Sequence, residues 1–373
     1  MISTLRHAAS ALLLAGFVCL APASAQTGRK YELRYDPPTD QALAMTTTEA
    51  HDLNLTELLL KRGDGEPIQQ RAALQLRTRA DALIADEREP ATGRLRRRFL
   101  DVAGVVQLVD PTSINEETGE WNGAEFKLTS PSVGVSVAFH PAKGQPDGYG
   151  RHFDGKALRE PLLPRLAVPF DWSALLPPPG ENGAASLELG ESFTIRPEVL
   201  EPLVAPTGFL PWRGGKRADP QILRAHASGL GGNLQIGFDG KVSGTVEGRL
   251  SEIGGDPDAG RYADLTYTFT IELEADRTDF VDERRLEREG DLETRGAVLR
   301  AKLEGTCVVR WGLDGGLPVS ASLGADETVQ MSVRVQPPGG EQAEQTMRMK
   351  GRLLNGIRFR TMPLSPPQRS VGR

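Results

Sequence analysis

Cysteine is nearly absent from this chain of 373 residues, which contains only Cys19 and Cys307. We expect Cys19 to be removed with a secretory signal peptide, which leaves Cys307 as the one thiol of the mature protein. An intramolecular disulfide is then excluded, and a buried core has to supply the stability. Aromatic residues are also few, at 6% of the chain, which disfavours an outer-membrane barrel because such barrels carry aromatic girdles.

A signal peptide is predicted for residues 1–25. A basic start at Arg6 precedes an apolar stretch over residues 8–20, and an Ala-Ser-Ala cleavage site ends at Ala25. Cleavage after Ala25 predicts a periplasmic or secreted protein. Since no later stretch is long and apolar enough to form a transmembrane helix, we expect no transmembrane span in the mature chain.

Positive charge is not in excess, because the formal net charge is -6. This balance argues against a nucleic-acid binder, whose surface carries a concentrated basic patch. The basic run at residues 94–98 is interpreted as a solvated strand face, with a patch for an anionic partner as the alternative. The chain also lacks a Gly-rich phosphate loop, a paired-cysteine motif and a His-Glu-x-x-His helix, so the sequence predicts no cofactor and no metal site.

Alternation of apolar and polar residues is the dominant pattern. It is clearest over residues 263–273, which we expect to pair in antiparallel fashion with residues 242–250. The sequence therefore predicts an all-β fold of mainly antiparallel sheets. Residues 68–84 also fit a helical stripe, but we favour a strand because the alternation extends further. The same alternation recurs at residues 31–35, 43–47, 133–139 and 329–335.

A Pro-rich irregular segment interrupts the strands, and eleven of the 27 prolines lie between residues 157 and 220. Its many apolar side chains predict that it packs across the sheets, because that much apolar surface is costly to leave in water. The predicted organisation is a signal peptide (1–25), an N-terminal β unit (26–156), the Pro-rich connecting segment (157–230), a C-terminal β unit (231–362) and a flexible tail (363–373).

Duplication of one β unit is suggested by a repeated pattern. Phe139-x4-Gly144-x-Pro146 matches residues 311–318, and each follows an alternating strand. Two related β units or half-barrels would explain the match. Chance similarity between β-rich segments is the competing explanation, and the choice between one and two domains stays open.

A β-hairpin is predicted around an Asp-Gly-Gly loop that ends at Gly316. Residues that face each other must share a side of the sheet, and a three-residue loop meets this condition by pairing Trp311 with Val319 and Cys307 with Leu323. Gly316 would supply the left-handed residue of the loop. Cys307 would then be buried, which raises the pKa of a thiol and makes it unreactive.

A second turn of the same kind is predicted at residues 354–356, where it would pair Leu353 with Ile357. The Asn-Gly pair in this stretch is a common hairpin signal.

Candidate catalytic groups are few and scattered. Ser136 lies in a Gly-x-Ser-x-Ala stretch within an alternating strand, whereas a hydrolase nucleophile requires a sharp turn from strand to helix. The histidines of the predicted mature chain are His51, His140, His152 and His226, and no two have metal-ligand spacing.

Glu49, His51 and Glu57 form the most interesting polar group. They share the alternation phase of apolar residues such as Leu53, so we expect their side chains to face the buried side. Carboxylates buried near a histidine often have perturbed pKa values, which is typical of functional sites. The alternative is that the strand continues past the edge of the core at this point.

The signal peptide, the tract at residues 187–195 and the hairpin at residues 311–318 together resemble secreted or periplasmic β-rich proteins of Gram-negative bacteria, of the domain-of-unknown-function type. The resemblance implies no catalytic residue. The predicted function is that of an extracytoplasmic, non-enzymatic β protein that binds an apolar ligand or a protein partner. The alternatives are a hydrolase-type enzyme built from scattered His, Asp and Glu residues, and an outer-membrane-associated β protein.

Overall fold

A computed structural model describes most of the chain between residues 28 and 364. The predicted signal peptide, the predicted tail beyond residue 364 and His226 lie outside the described residues. Those residues are 28–70, 74–89, 94–114, 121–143, 148–157, 168–181, 183–208, 213–214, 238, 240–256, 260–278, 293–336 and 339–364.

Strands dominate these residues, which confirms the all-β prediction. The one α-helix that they contain, α1, has four residues, and no described helix is long and apolar enough to cross a bilayer. The first eight strands are β1 (Lys30–Leu33), β2 (Gln41–Arg62), β3 (Ile68–Gln69), β4 (Gln75–Arg88), β5 (Leu95–Ile114), β6 (Trp121–Thr129), β7 (Ser136–Pro141) and β8 (Tyr149–Phe153). The Pro-rich segment contains β9 (Ala185–Glu188), β10 (Ser192–Ile195), α1 (Glu201–Val204) and β11 (Arg213–Gly214), besides two 3₁₀ turns at Trp172–Leu175 and Pro197–Leu200. The last five strands are β12 (Lys241–Asp256), β13 (Gly260–Asp276), β14 (Glu293–Gly312), β15 (Leu317–Gln336) and β16 (Ala343–Pro363).

Fourteen strands form one large sheet, in the order β10-β12-β13-β14-β15-β16-β2-β4-β5-β6-β11, with β3, β7 and β8 attached beside this path. The remaining strands, β1 and β9, pair with each other. Strand β16 pairs with β2 along almost its whole length, from Ala343 opposite Arg62 to Pro363 opposite Gln41. Strands from both ends of the chain therefore share one antiparallel sheet.

The sheet has one buried face, and the alternation in the sequence places it correctly. In β13, the residues Leu265, Tyr267, Phe269 and Ile271 are all buried, while intervening residues such as Glu272 are exposed. We call this buried side the inner face. Strand β12 pairs with β13 as predicted, and residues 75–84 belong to a strand, as the longer alternation indicated.

The Pro-rich segment packs its apolar side chains into the same core. Trp172 is buried and meets the ring of Phe359 edge-on, with 4.7 Å between the ring centres. The hydroxyl of Tyr267 in β13 donates a hydrogen bond of 2.8 Å to the carbonyl oxygen of Leu175. Leu203 of α1 is also buried. These contacts tie the described part of the segment to the inner face of the sheet.

The predicted hairpin between β14 and β15 is correct at Cys307 and wrong near the turn. Cys307 pairs with Leu323, and Gly316 has the expected left-handed conformation with φ +63°. Trp311, however, pairs with Pro318 and not with Val319. The loop between the two strands is longer than predicted, and a β-bulge at Val319 takes up the extra residue. The alternation predicted for the second strand is therefore interrupted at Val319, before the strand reaches the turn.

The second predicted hairpin, at residues 354–356, is absent. Strand β16 runs without interruption through this stretch, and Leu353 and Ile357 pair with residues of β15 and β2 instead of with each other. Asn355 faces the core, where its side-chain amide donates to the main-chain oxygens of Leu203 and Val204. Pairing with strands on both sides and the buried hydrogen bonds of Asn355 outweigh the preference of Asn-Gly for a turn.

The basic run at residues 94–98 is not a simple solvated face. Arg97 is buried and donates two hydrogen bonds, of 2.7 and 2.8 Å, to the carboxylate of Asp86. Arg96 and Arg98 keep less than a quarter of their side chains exposed, and Arg98 contacts Glu87 at 2.6 Å. Arg97 therefore points to one side of β5 and its two neighbours, Arg96 and Arg98, point to the other. Carboxylates compensate the charges of all three arginines.

Candidate functional site

Three ionisable side chains meet on the largely apolar inner face of the sheet. Glu49 and His51 lie two residues apart in β2, so their side chains project to the same side. Glu327 belongs to β15, which is separated from β2 by β16. We call these residues the Glu-His-Glu triad.

The imidazole of His51 lies between the two carboxylates. Its Nδ1 is 2.9 Å from Oε2 of Glu327, and its Nε2 is 3.0 Å from Oε1 of Glu49. The Glu327 side chain is completely buried, whereas His51 and Glu49 keep 10% and 12% of their side-chain surfaces exposed. The triad is therefore closed on the Glu327 side and borders accessible space on the Glu49 side.

Gly351 allows the contact across β16. It pairs with Glu327 on one side and with Leu53 on the other, so no side chain fills the space between β15 and β2 at this level. A Cβ atom at position 351 would lie 1.8 Å from the main-chain oxygen of Asp52. Glycine is thus required here by the close approach of the neighbouring backbone.

The triad keeps His51 positively charged over the ordinary pH range. Burial opposes the charged form, but the charge of Glu327 and hydrogen bonds to Glu327 and Glu49 outweigh it and raise the pKa of His51 to about 10. Both ring nitrogens therefore carry protons at neutral pH, and both donate to a carboxylate oxygen. A histidine in this state has no free nitrogen to accept a proton from a substrate.

Several oxygen atoms on this part of the inner face are buried without a hydrogen-bond partner. They are Oε1 of Glu327, Oδ1 of Asn355 and Oγ1 of Thr47. Asn355 pairs directly with Glu49 between β16 and β2, and Thr47 is two residues from Glu49 in β2. Together with the triad, these residues form a polar band in which acceptors outnumber donors.

Asn355 connects this band to the Pro-rich segment. Its amide nitrogen lies 2.9 Å from the main-chain oxygen of Leu203 and 2.6 Å from that of Val204, at the end of α1. These bonds satisfy carbonyl groups that a short helix leaves without partners. The end of α1 therefore lies next to the polar band.

The predicted orientation is correct for Glu49 and His51 and wrong for Glu57. The pairing of β16 with β2 shifts between Arg348 and Met349, which leaves Thr56 as a bulged residue. After the bulge the alternation reverses, and Glu57 forms an ion pair of 3.0 Å with Arg348, whose side chain is 43% exposed.

Glu327 is the member of the triad that sequence reasoning missed. It is 276 residues away from His51. One signal was present, because Glu327 continues the buried phase of Leu323, Ala325 and Val329 in β15. A charged residue in such a phase needs a buried partner.

The other candidate histidines lie apart from the triad. His140 and His152 are on the neighbouring strands β7 and β8, with 5.6 Å between their ring centres. Burial and the adjacent guanidinium of Arg94 lower the pKa of His152. Asp154 beside it forms an ion pair of 2.8 Å with Arg96.

Ser136 and Cys307 do not resemble activated nucleophiles. Ser136 begins β7, not a turn into a helix, and its hydroxyl is buried without a hydrogen-bond partner. Burial raises the pKa of the Cys307 thiol well above its usual range. Within the described ranges, no group of three His, Cys, Asp or Glu side chains has a geometry suited to a metal ion.

The similarity of this chain to known proteins is weak. No family model matches the chain. No curated protein matches it either. Among solved structures, the chain is similar to an outer membrane channel from Pseudomonas putida F1, with 9% sequence identity and a TM-score of 0.23. The alignment covers 87% of this chain and 98% of the channel.

Proposed function

We propose that this chain is an extracytoplasmic, non-enzymatic binding protein whose ligand lies against the inner face of the sheet, beside the Pro-rich segment. The observation that carries the proposal is the polar band around the Glu-His-Glu triad. Buried polar groups are normally satisfied by partners, and a few of them within an apolar surface are typical of ligand sites. Here the band includes buried oxygens without partners and borders accessible space at Glu49.

The apolar character of the ligand follows from the surroundings of the triad. Leu353 pairs directly with His51, and Leu53 and Leu76 are buried nearby on the same face. Burying apolar ligand surface there would contribute roughly 25 cal/mol for each Å² removed from water. The periplasmic or secreted location is part of the proposal and rests on the predicted signal peptide.

An enzyme built on His51 is the second candidate, because this histidine does lie between two carboxylates. A catalytic triad pairs one side of the imidazole with a carboxylate and leaves the other nitrogen for the nucleophile. In this chain the carboxylates of Glu49 and Glu327 engage both nitrogens. The geometry therefore favours binding over general-base catalysis.

Binding of a neutral apolar probe tests the proposed function. We expect the folded full-length protein to bind N-phenyl-1-naphthylamine saturably, with a blue-shifted rise in fluorescence. Thr78 pairs with His51 on the inner face, so Thr78→Phe should weaken binding about tenfold by filling the site. The matched control is Arg79→Phe, because the Arg79 side chain is exposed on the opposite face. Absence of saturable binding to the native protein, or equal weakening by both variants, would contradict the proposal.

A further inference from the structure

We infer that the ligand of the inner face carries a primary ammonium group, which binds in the polar band beside the carboxylates of the Glu-His-Glu triad and the side-chain oxygen of Asn355. This inference rests on the proposed function and specifies the ligand class. Its first support is the charge of the triad. Two carboxylates share one imidazolium, so the group carries a net charge of -1 in a mostly apolar environment.

A buried net charge is costly unless a charge of opposite sign compensates it. Among the described residues, the one cation within ion-pair distance of Glu49 or Glu327 is His51. The buried cation Arg97 is bound to both carboxylate oxygens of Asp86. A cationic group on the ligand would neutralise the remaining carboxylate charge.

The second support is the mismatch between donors and acceptors. The buried side-chain atoms without partners in the polar band are all oxygens, one each from Glu327, Asn355 and Thr47. The amide nitrogen of Asn355 is already used by α1, and both nitrogens of His51 are used by the carboxylates. An ammonium group has three N–H donors and no acceptor, so it supplies the hydrogen-bond donors that the oxygens of the band lack.

The third support concerns access and shape. The exposed parts of Glu49 and His51 show that a small group can reach the triad, whereas the fully buried Glu327 closes its far side. An ammonium group at the end of an alkyl chain can approach Glu49 from this accessible side. A divalent metal ion fits less well, because no group of three His, Cys, Asp or Glu side chains among the described residues has a geometry suited to one.

A series of six-carbon probes tests this inference by isothermal titration calorimetry on the full-length protein at pH 7. We expect hexylammonium to bind at least tenfold more tightly than 1-hexanol, and hexanoate to bind most weakly. Glu327→Gln removes the negative charge with little change of shape and should abolish the preference for hexylammonium over 1-hexanol. Asp326→Asn is the matched control, because Asp326 is the adjacent residue in β15 with an exposed side chain.

Glu49→Gln provides a second variant if Glu327→Gln does not fold, because the Glu49 side chain is less buried. Loss of the ammonium preference in either variant, with the preference retained in Asp326→Asn, supports the inference. Equal affinity for hexylammonium and 1-hexanol, or tighter binding of hexanoate, would overturn it while leaving the proposed apolar binding function intact. If neither these probes nor N-phenyl-1-naphthylamine bind, the proposed function fails as well.

Discussion

His51 shows how two opposing effects set the charge of one residue. Burial alone would lower the pKa of a histidine, because removing the imidazolium from water is unfavourable. Two carboxylates reverse this direction, and one of them, Glu327, comes from a strand that is not adjacent to β2. The charge state of His51 therefore depends on tertiary structure and not on its neighbours in sequence.

The titration of His51 is the first prediction at the residue scale. Its imidazole resonances should show no titration near pH 6.5 and should change only as the pH approaches about 10. Nuclear magnetic resonance of histidine-labelled protein would measure this. Glu327→Gln removes the charge that contributes most to the rise and should lower the pKa of His51 clearly. An ordinary titration of His51 near pH 6.5 in the native protein would disprove the triad.

The reactivity of Cys307 is the second prediction at the residue scale. The thiol is 1% exposed, and its burial raises the pKa of the sulfur, so little thiolate forms at neutral pH. A disulfide-based thiol reagent should label native protein slowly and should label urea-unfolded protein rapidly. Fast labelling under native conditions would place Cys307 outside the core.

At the scale of elements, strand β16 connects the two ends of the chain through its pairing with β2. Its backbone lies close to β2 at Gly351, where a Cβ atom would overlap the oxygen of Asp52. Gly356 lies in the same strand, and a Cβ atom there would meet nothing within 4 Å. The two glycines therefore differ in role although they share one strand.

Alanine substitutions separate these roles and form the third prediction. Gly351→Ala should lower the free energy of unfolding by about 1–3 kcal/mol, because the backbones of β16 and β2 have to move apart. Gly356→Ala should be neutral or stabilising by roughly 0.5–1 kcal/mol, because glycine is unfavourable within a strand. Urea denaturation of both variants would measure the difference. Equal effects would contradict the close approach at Gly351.

The elements were largely predictable, whereas the residue-by-residue register was not. Alternation identified the strands and faces of β12, β13 and β14, because one buried side imposes a period of two. Errors occurred where a bulge changes the period, at Val319 and Thr56. Bulges depend on the partner strand and the loop that joins them, so the sequence of a single strand does not reveal them.

For the whole molecule, the raised pKa of His51 predicts how stability depends on pH. The folded-state pKa of about 10 exceeds the unfolded value of about 6.5, so the stabilisation is fully present below pH 6.5. It is lost as the pH rises towards 10, by an amount on the order of 3–5 kcal/mol, because one pKa unit corresponds to about 1.4 kcal/mol.

This fourth prediction can be measured as the free energy of urea unfolding at several pH values between 6 and 10. The native protein should lose stability across this interval, and Glu327→Gln should lose less because its His51 starts with a lower pKa. Asp326→Asn should follow the native protein. A native curve that is flat from pH 6 to pH 10 and unaffected by Glu327→Gln would exclude the coupling between the triad and folding.

The sequence by itself determined the all-β class, the identity of the buried face over most strands and the burial of Cys307, because these follow from local alternation. Only the tertiary structure decided that β16 pairs with β2, that Asn355 bonds to the end of α1 in the Pro-rich segment, and that Glu327 contacts His51. The physical reason is distance along the chain. A periodic pattern tells which side a residue faces, but the partner it meets there depends on which strands become neighbours and in what register.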